Sequence, residues 1–222
     1  MKIRSALLAF AVAGVPGSTP GLAQNAYITG TPSDSVSVID TAKNTVIATI
    51  PVGSAPEGVG VSPDGTRIYV ANTSDDTVSV INGTTNTLVA TVPVGAAPGG
   101  VAVAPDGDSV YIANINDGTL SIIVAKTDTI TATVTIPGGV FALAVTPNGR
   151  RLYITSPIDT VSVLDTASNA VIATINTGTT STGAGSLPSG VAVSPDGSKV
   201  YVALYASAAV AVIDTATNTG FR

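Results

Sequence analysis

The sequence of 222 residues contains no cysteine, no histidine and no tryptophan, and its one methionine is the first residue. Disulfide bonds and cysteine nucleophiles are therefore excluded. A Ser-His-Asp triad, a zinc site built on His or Cys, and a haem held by His or Cys are excluded for the same reason. These absences remove several common enzyme classes before any pattern in the sequence is considered.

Charge is also scarce: 10% of the residues are charged and 45% are hydrophobic, and the net charge is −5. The basic residues form no stripe or cluster, so binding to a nucleic-acid backbone is not expected. An anionic membrane surface is an equally poor partner. The length fits one domain with a sizeable core.

The first 23 residues differ in character from the rest. Lys2 and Arg4 precede an apolar run at residues 6–15, and prolines, glycines and the small residue Ala23 follow it. This layout predicts a secretory signal peptide at residues 1–23, cleaved after Ala23, with one domain at residues 24–222. The run is too short to span a bilayer, and a buried N-terminal helix is the alternative. We expect a secreted protein, periplasmic or at the cell surface, with no membrane insertion after cleavage.

Five of the six tyrosines recur at one place in an internal repeat, and this is the strongest signal in the sequence. Consecutive copies are separated by 42, 42, 42 and 48 residues, and the six extra residues fall at 178–186. The repeated residues are Tyr27, Tyr69, Tyr111, Tyr153 and Tyr201.

Each repeat contains four short segments rich in Val, Ile, Thr and Tyr, which are typical of strands. A Pro-Asp-Gly or Pro-Asn-Gly turn precedes four of the tyrosines, at residues 63–65, 105–107, 147–149 and 195–197. Proline presets the first corner of a type I turn, and glycine takes the left-handed position that follows it. Four antiparallel strands per repeat predict an all-β fold, a β-propeller with about five repeats of 42 residues as four-stranded blades. A β-helix is the alternative architecture.

The first strand of each repeat (strand A, followed by B, C and D) carries Gly or Ala, as expected where blades converge on a central axis. The predicted domain starts with a B strand at Tyr27, so its first blade is expected to contain only B, C and D strands. Residues 219–222 end where the last D strand should begin, which gives eighteen strands and an incomplete last blade. An incomplete blade leaves an apolar face exposed to water and strand edges unpaired, so we expect self-association. The alternatives are a ring that closes with an incomplete blade and a sequence that is part of a longer propeller.

The segment Tyr69-Val70-Ala71-Asn72, with the turn before it and the Val-Ser-Val-Ile strand after it, resembles the YVTN-type repeat of YncE-like and surface-layer-like β-propellers. The resemblance extends from about Ala26 to Asn218 and implies a propeller fold. Related propellers include lactonase-like enzymes and domains of nitrous-oxide reductases, nitrite reductases and amine dehydrogenases. The redox members hold metal or haem through histidine, which this chain lacks, so no cofactor is expected.

Variable loops point to a binding face. In a propeller the D–A loops and B–C turns emerge together, and insertions in repeat proteins tend to collect on the binding face. The D–A loops here vary, and the last one is the longest. We therefore predict a ligand site at the channel mouth, formed by Glu57, Phe141, Ser189, Thr179, Thr180, Ser181 and Thr182. The alternatives are an idle loop at 179–186 and a solvated Glu57.

The acidic residues of the B–C turns are interpreted as turn formers that bond their own backbone. They lack the dense alternating spacing of a calcium loop, so no metal site is assigned. They are Asp34, Asp75, Asp76, Asp117 and Asp159.

The sequence predicts the function of the protein less specifically than its fold. Glu57 is the only glutamate, and a lone carboxylate is poor support for general acid–base catalysis. No catalytic residue is assigned. We predict a non-enzymatic binding or interaction scaffold for an unidentified protein or small-molecule ligand. The alternative is a lactonase-like hydrolase or an accessory subunit of a periplasmic redox system.

Overall fold

The structure, a computed structural model, describes residues 10–12, 25–178 and 185–221. These residues form twenty strands in five antiparallel sheets of four strands each, which confirms the predicted all-β propeller architecture. Two single 3₁₀ turns, Thr31–Ser33 and Tyr205–Ser207, are the helical elements of this part of the chain. Neither is long enough to cross a membrane.

The five sheets are numbered as blades 1 to 5 in chain order, and in each blade consecutive strands are neighbours. Blade 1 contains β1 (Phe10–Val12), β2 (Asn25–Gly30), β3 (Ser35–Asp40) and β4 (Thr45–Pro51); blade 2 contains β5 (Pro56–Val61), β6 (Arg67–Asn72), β7 (Thr77–Asn82) and β8 (Thr87–Pro93); blade 3 contains β9 (Pro98–Val103), β10 (Ser109–Asn114), β11 (Thr119–Val124) and β12 (Thr129–Thr135). Blade 4 contains β13 (Leu143–Val145), β14 (Arg151–Thr155), β15 (Thr160–Asp165) and β16 (Ala170–Asn176); blade 5 contains β17 (Pro188–Val193), β18 (Lys199–Leu204), β19 (Ala209–Asp214) and β20 (Thr219–Phe221).

The turns between the A and B strands have the predicted geometry. Gly65 has a φ of 71°, and its N–H donates to the carbonyl of Ser62 at 2.8 Å. Equivalent bonds close the turns at Gly107, Gly149 and Gly197. Glycine is required here because a side chain at this φ would be strained.

Close approach of the inner strands explains their small residues. A Cβ added to Gly58 would lie 1.9 Å from the carbonyl oxygen of Gly99 in the next blade, and one added to Gly100 would lie 2.8 Å from that of Phe141. Neither position accommodates a side chain without movement of the neighbouring backbone. The predicted crowding near the axis is confirmed.

The core lies between blades rather than within them. Four hydrophobic clusters join blades 1 and 2, 2 and 3, 3 and 4, and 4 and 5. The repeated tyrosine of each of blades 1 to 4 packs against the blade that follows it. Tyr27, Tyr69, Tyr111 and Tyr153 are 3% exposed or less.

The predicted count of eighteen strands for residues 24–222 is wrong, because the described residues of that range form nineteen, and β1 brings the total to twenty. Residues 219–221 do form the D strand of blade 5, although this strand has three residues where β16 has seven. The other additional strand, β1, comes from the predicted signal peptide and pairs Ala11 with Tyr27. Cleavage after Ala23, which stays a prediction, would remove β1 from blade 1.

The array of blades has two unlike ends. Among the described residues, no hydrophobic cluster joins blade 5 to blade 1. Tyr201 is 45% exposed, in contrast to its four equivalents. The described part of the chain is therefore an incomplete propeller.

Candidate functional site

The inner strands of blades 2 to 5 surround a cavity of about 410 Å³ at the centre of the array. Its walls are glycine backbone and apolar side chains, among them Val59, Val101, Ile115 and Leu143. The one charged side chain that lines it is Glu57. The cavity is therefore an apolar channel mouth with a single carboxylate.

Glu57 lies at the start of β5, where its backbone is fixed from blade 1. The Thr29 hydroxyl donates to the carbonyl oxygen of Glu57 at 2.8 Å. The side chain is half-buried, and burial raises the pKa of its carboxyl group. A Cβ added to Gly99 would lie 3.5 Å from Glu57 Oε2, so the carboxylate rests beside the backbone of the next blade. No described residue donates a hydrogen bond to it.

Phe141 connects this channel mouth to a second cavity. That cavity, of about 590 Å³, lies between blades 4 and 5 and is almost entirely apolar. The Phe141 backbone is anchored by a 2.8 Å hydrogen bond from its N–H to the Thr155 carbonyl. Other lining residues are Pro157, Leu187, Pro188, Ser189 and Tyr205, of which Tyr205 is 80% exposed. We call this surface the apolar groove.

The structure brings together part of the predicted site. Glu57 and Phe141 line the channel mouth, and Ser189 lines the adjoining apolar groove. The Ser189 hydroxyl donates to the Ala203 carbonyl at 3.3 Å. Thr179, Thr180, Ser181 and Thr182 lie outside the described residues. The sequence reasoning missed Leu187 and Tyr205, which no repeated motif marks.

The acids of the B–C turns hold the D–A loops in place. Asp34 Oδ1 accepts a hydrogen bond from the Ala55 N–H at 2.8 Å, and Asp76 Oδ1 accepts one from the Ala97 N–H at 2.8 Å. Asp159 does the same for Leu187 at 3.0 Å. Related bonds join Asp75 to Ser54 and Asp117 to Ala96.

The prediction that these acids bond their own backbone is therefore wrong for these contacts, because the acceptors reach a different loop. The bonds position the D–A loops from which Glu57 and the apolar groove extend. The sequence did contain a signal for these contacts: the same separation of 21 residues lies between Asp34 and Ala55 and between Asp76 and Ala97. Within the described ranges no three acidic side chains lie together as metal ligands would.

Comparison with known proteins places the chain among propellers. A solved structure of Kuenenia stuttgartiensis hydrazine synthase is similar at 19% identity and a TM-score of 0.68, over 86% of this chain and 73% of that one. A functionally unknown protein from Desulfotomaculum acetoxidans is similar at 18% identity and a TM-score of 0.76, over 96% of this chain and 71% of that one. At these identities the likeness shows the fold alone. No curated protein matches the chain in sequence.

The family comparison agrees with the repeat pattern. The model of the YncE-like β-propellers matches residues 61–136, which run from the end of β5 to the residue after β12. The predicted resemblance is thus confirmed, and the chain is similar to the YncE-like β-propeller family.

Proposed function

We propose that this chain is an exported β-propeller that acts as a binding scaffold and takes a small ligand at the channel mouth. The observation that carries the proposal is the Glu57 carboxylate in a cavity of about 410 Å³ whose other lining residues carry no charge. Export rests on the predicted signal peptide. The D–A loops that frame the cavity are fixed by Asp34 and Asp76, which supports a preformed site.

The lining favours a ligand with one positive charge and an apolar body. A carboxylate that is partly removed from water attracts a cation more strongly than a solvated one does. The ring of Phe141 adds a surface on which an organic cation can rest. The apolar groove, with Leu187 and Tyr205, continues from Phe141 and offers contact to the apolar part of the ligand.

Hydrolysis and a redox role have less support. Of the side chains that line the channel mouth in the described structure, only Glu57 titrates, and acid–base hydrolysis commonly uses a pair of groups. The likeness to hydrazine synthase is at 19% identity and concerns the fold. It does not by itself favour a redox subunit.

Calorimetric titration with phenethylammonium as the probe tests the proposal. We expect weak binding to the wild type and binding weaker by about tenfold to Glu57→Gln, because the substitution keeps the shape and removes the charge. The neutral analogue 2-phenylethanol should bind both proteins equally. Asp108→Asn, at an exposed A–B turn residue outside the channel mouth, is the charge-matched control. Equal binding of the cation to wild type and Glu57→Gln would contradict the proposal.

A further inference from the structure

Blade 5 ends the array with an uncovered apolar face, here called the tail face: the side of β18 and β19 that carries Tyr201, Ala203 and Val210. Val210 is 53% exposed. Its equivalents in blades 1 to 4 are Val36, Val78, Leu120 and Val161, and each of these is 0% exposed. The tail face therefore has the composition of a buried interface without a covering blade in the described structure.

Blade 1 ends the array with the complementary side, here called the head face: the side of β2 and β3 that carries Ile28 and Ile39, with Asn44 in the turn after β3. Ile28 and Ile39 are half-buried, whereas the equivalents of Ile39 are 0% exposed; these are Ile81, Ile123, Leu164 and Ile213. Asn44 is exposed, whereas Asn86, Asp128, Asn169 and Asn218 at the same position are half-buried.

Four internal interfaces show how these two kinds of face fit. In each, the tyrosine-bearing side of one blade packs against the isoleucine-bearing side of the next. Between blades 4 and 5 the Tyr153 hydroxyl donates to Asn218 Oδ1 at 3.0 Å. Between blades 2 and 3 Arg67 pairs with Asp128 at 2.5 Å, again joining the B strand of one blade to the C–D turn of the next.

We propose that a second copy of this chain docks head to tail, with its head face on the tail face of the first. The contact would repeat the internal interface, and the Tyr201 hydroxyl of one copy would meet Asn44 of the other. Such a contact is heterologous, so each pair keeps one free head face and one free tail face and can add further copies. The repeat of an interface already present four times in the molecule supports this choice of partner.

The estimated area of the contact places it in the size class of weak, transient interfaces. A face of four strands, spaced about 4.8 Å apart and about 18 Å long, covers roughly 350 Å² on each copy. Together the two faces cover about 700 Å², less than the 1,200 Å² or so at the lower end of stable interfaces. Association should therefore be reversible and dependent on concentration.

Sedimentation velocity of the purified chain tests the proposal through one variant on each face. Val210→Lys disrupts the tail face, and Ile39→Lys disrupts the head face; retained circular dichroism and thermal midpoint show that each variant folds. We expect the average sedimentation coefficient of the wild type to increase when the protein concentration is raised about a hundredfold, because association depends on concentration. Each variant alone should stay monomeric. An equal mixture of the two should form dimers and nothing larger, because Ile39→Lys keeps a tail face and Val210→Lys keeps a head face.

Other outcomes overturn the proposal. A wild type that remains monomeric at the highest concentration rules out docking between copies. Association that survives Ile39→Lys but not Val210→Lys indicates a tail-to-tail dimer. A mixture of the two variants that forms no dimer also rules out head-to-tail docking. The bond between Tyr201 and Asn44 has its own test: Tyr201→Phe and Asn44→Ala should each weaken association about two- to tenfold. The double variant should weaken it no further, and additive effects would exclude a direct contact.

Discussion

The hydroxyl of Tyr153 in blade 4 donates a hydrogen bond of 3.0 Å to Oδ1 of Asn218 in blade 5. Tyr69 occupies the same position in blade 2, but its buried hydroxyl has no hydrogen-bond partner in the described structure. The residue that corresponds to Asn218 in its neighbouring blade is Asp128, which pairs with Arg67 instead. One repeated tyrosine is therefore satisfied and another is not.

This difference predicts opposite effects for one substitution. Tyr153→Phe should lower the free energy of unfolding by about 1 kcal/mol, because it leaves the Asn218 amide oxygen without its donor. Tyr69→Phe should leave the free energy of unfolding unchanged or raise it, because it removes a buried group that has no partner. Urea denaturation at pH 7 measures both. A loss for Tyr69→Phe as large as that for Tyr153→Phe would contradict the assignment.

The stability of the protein at alkaline pH should depend on Tyr69. Burial, with a smaller effect of the Asp128 carboxylate, raises the pKa of Tyr69 from 10.0 to about 12. Between pH 10 and pH 12 the unfolded chain therefore binds fewer protons than the native one at this group, so the free energy of unfolding falls as the pH rises. Tyr69→Phe should make this fall shallower without abolishing it, because burial also raises the pKa of Tyr27, Tyr111 and Tyr153. Denaturation curves from pH 9 to pH 12 provide the measurement, and a slope unchanged by the substitution would refute the prediction.

The parts of the fold that could be predicted are those with a local cause that repeats. The Pro-Asp-Gly turns need glycine at a φ near 71°, and the inner strands need small residues because Gly58 meets the backbone of Gly99. Both requirements leave a residue type at a fixed place in each period. The sequence therefore predicts the repeat unit, the strand order and the crowded axis.

Features that depend on contacts between separate segments of the chain, without a repeated local motif, could not be predicted. Strand β1 lies 12 residues before β2, in a segment whose composition is that of a signal peptide. Only its pairing with β2 shows that β1 is the A strand of blade 1. Ala11 pairs with Tyr27 there, as Gly60 pairs with Tyr69 in blade 2. The apolar groove was missed because Leu187 and Tyr205 come together across a loop and a turn, without a motif in either.

Two glycines at equivalent positions should respond differently to alanine. A Cβ at Gly58 would lie 1.9 Å from the Gly99 carbonyl oxygen, whereas one at Gly190 would meet only the Ala203 Cβ, at 4.0 Å. Gly58→Ala forces the backbone of blade 3 to move and should cost about 1–3 kcal/mol of unfolding free energy. Gly190→Ala should be neutral, or stabilising by up to about 1 kcal/mol. Denaturation at low protein concentration keeps association from masking the result. Equal losses for both variants would mean that packing between blades is not the cause.

Removal of the Glu57 charge should stabilise the protein at neutral pH and have little effect near pH 4. Burial raises the pKa of this carboxyl group above its ordinary value of 4.5. Between the ordinary and the raised pKa the native state binds more protons than the unfolded state, so the wild type loses stability as the pH rises through that window. Glu57→Gln lacks this loss because its amide does not titrate.

The difference in unfolding free energy between Glu57→Gln and the wild type should therefore grow from pH 4 upward and become constant once the pH exceeds the raised pKa. The carboxyl groups with lowered pKa, such as Asp196 and Asp214 at about 2, are present in both proteins and cancel in the difference. Asp108→Asn removes one negative charge outside the channel mouth and controls for the change in net charge. Urea denaturation of the three proteins between pH 4 and pH 8 gives the curves. A difference that shrinks with rising pH, or that Asp108→Asn reproduces, would show that burial of the Glu57 carboxylate at the channel mouth is not its origin.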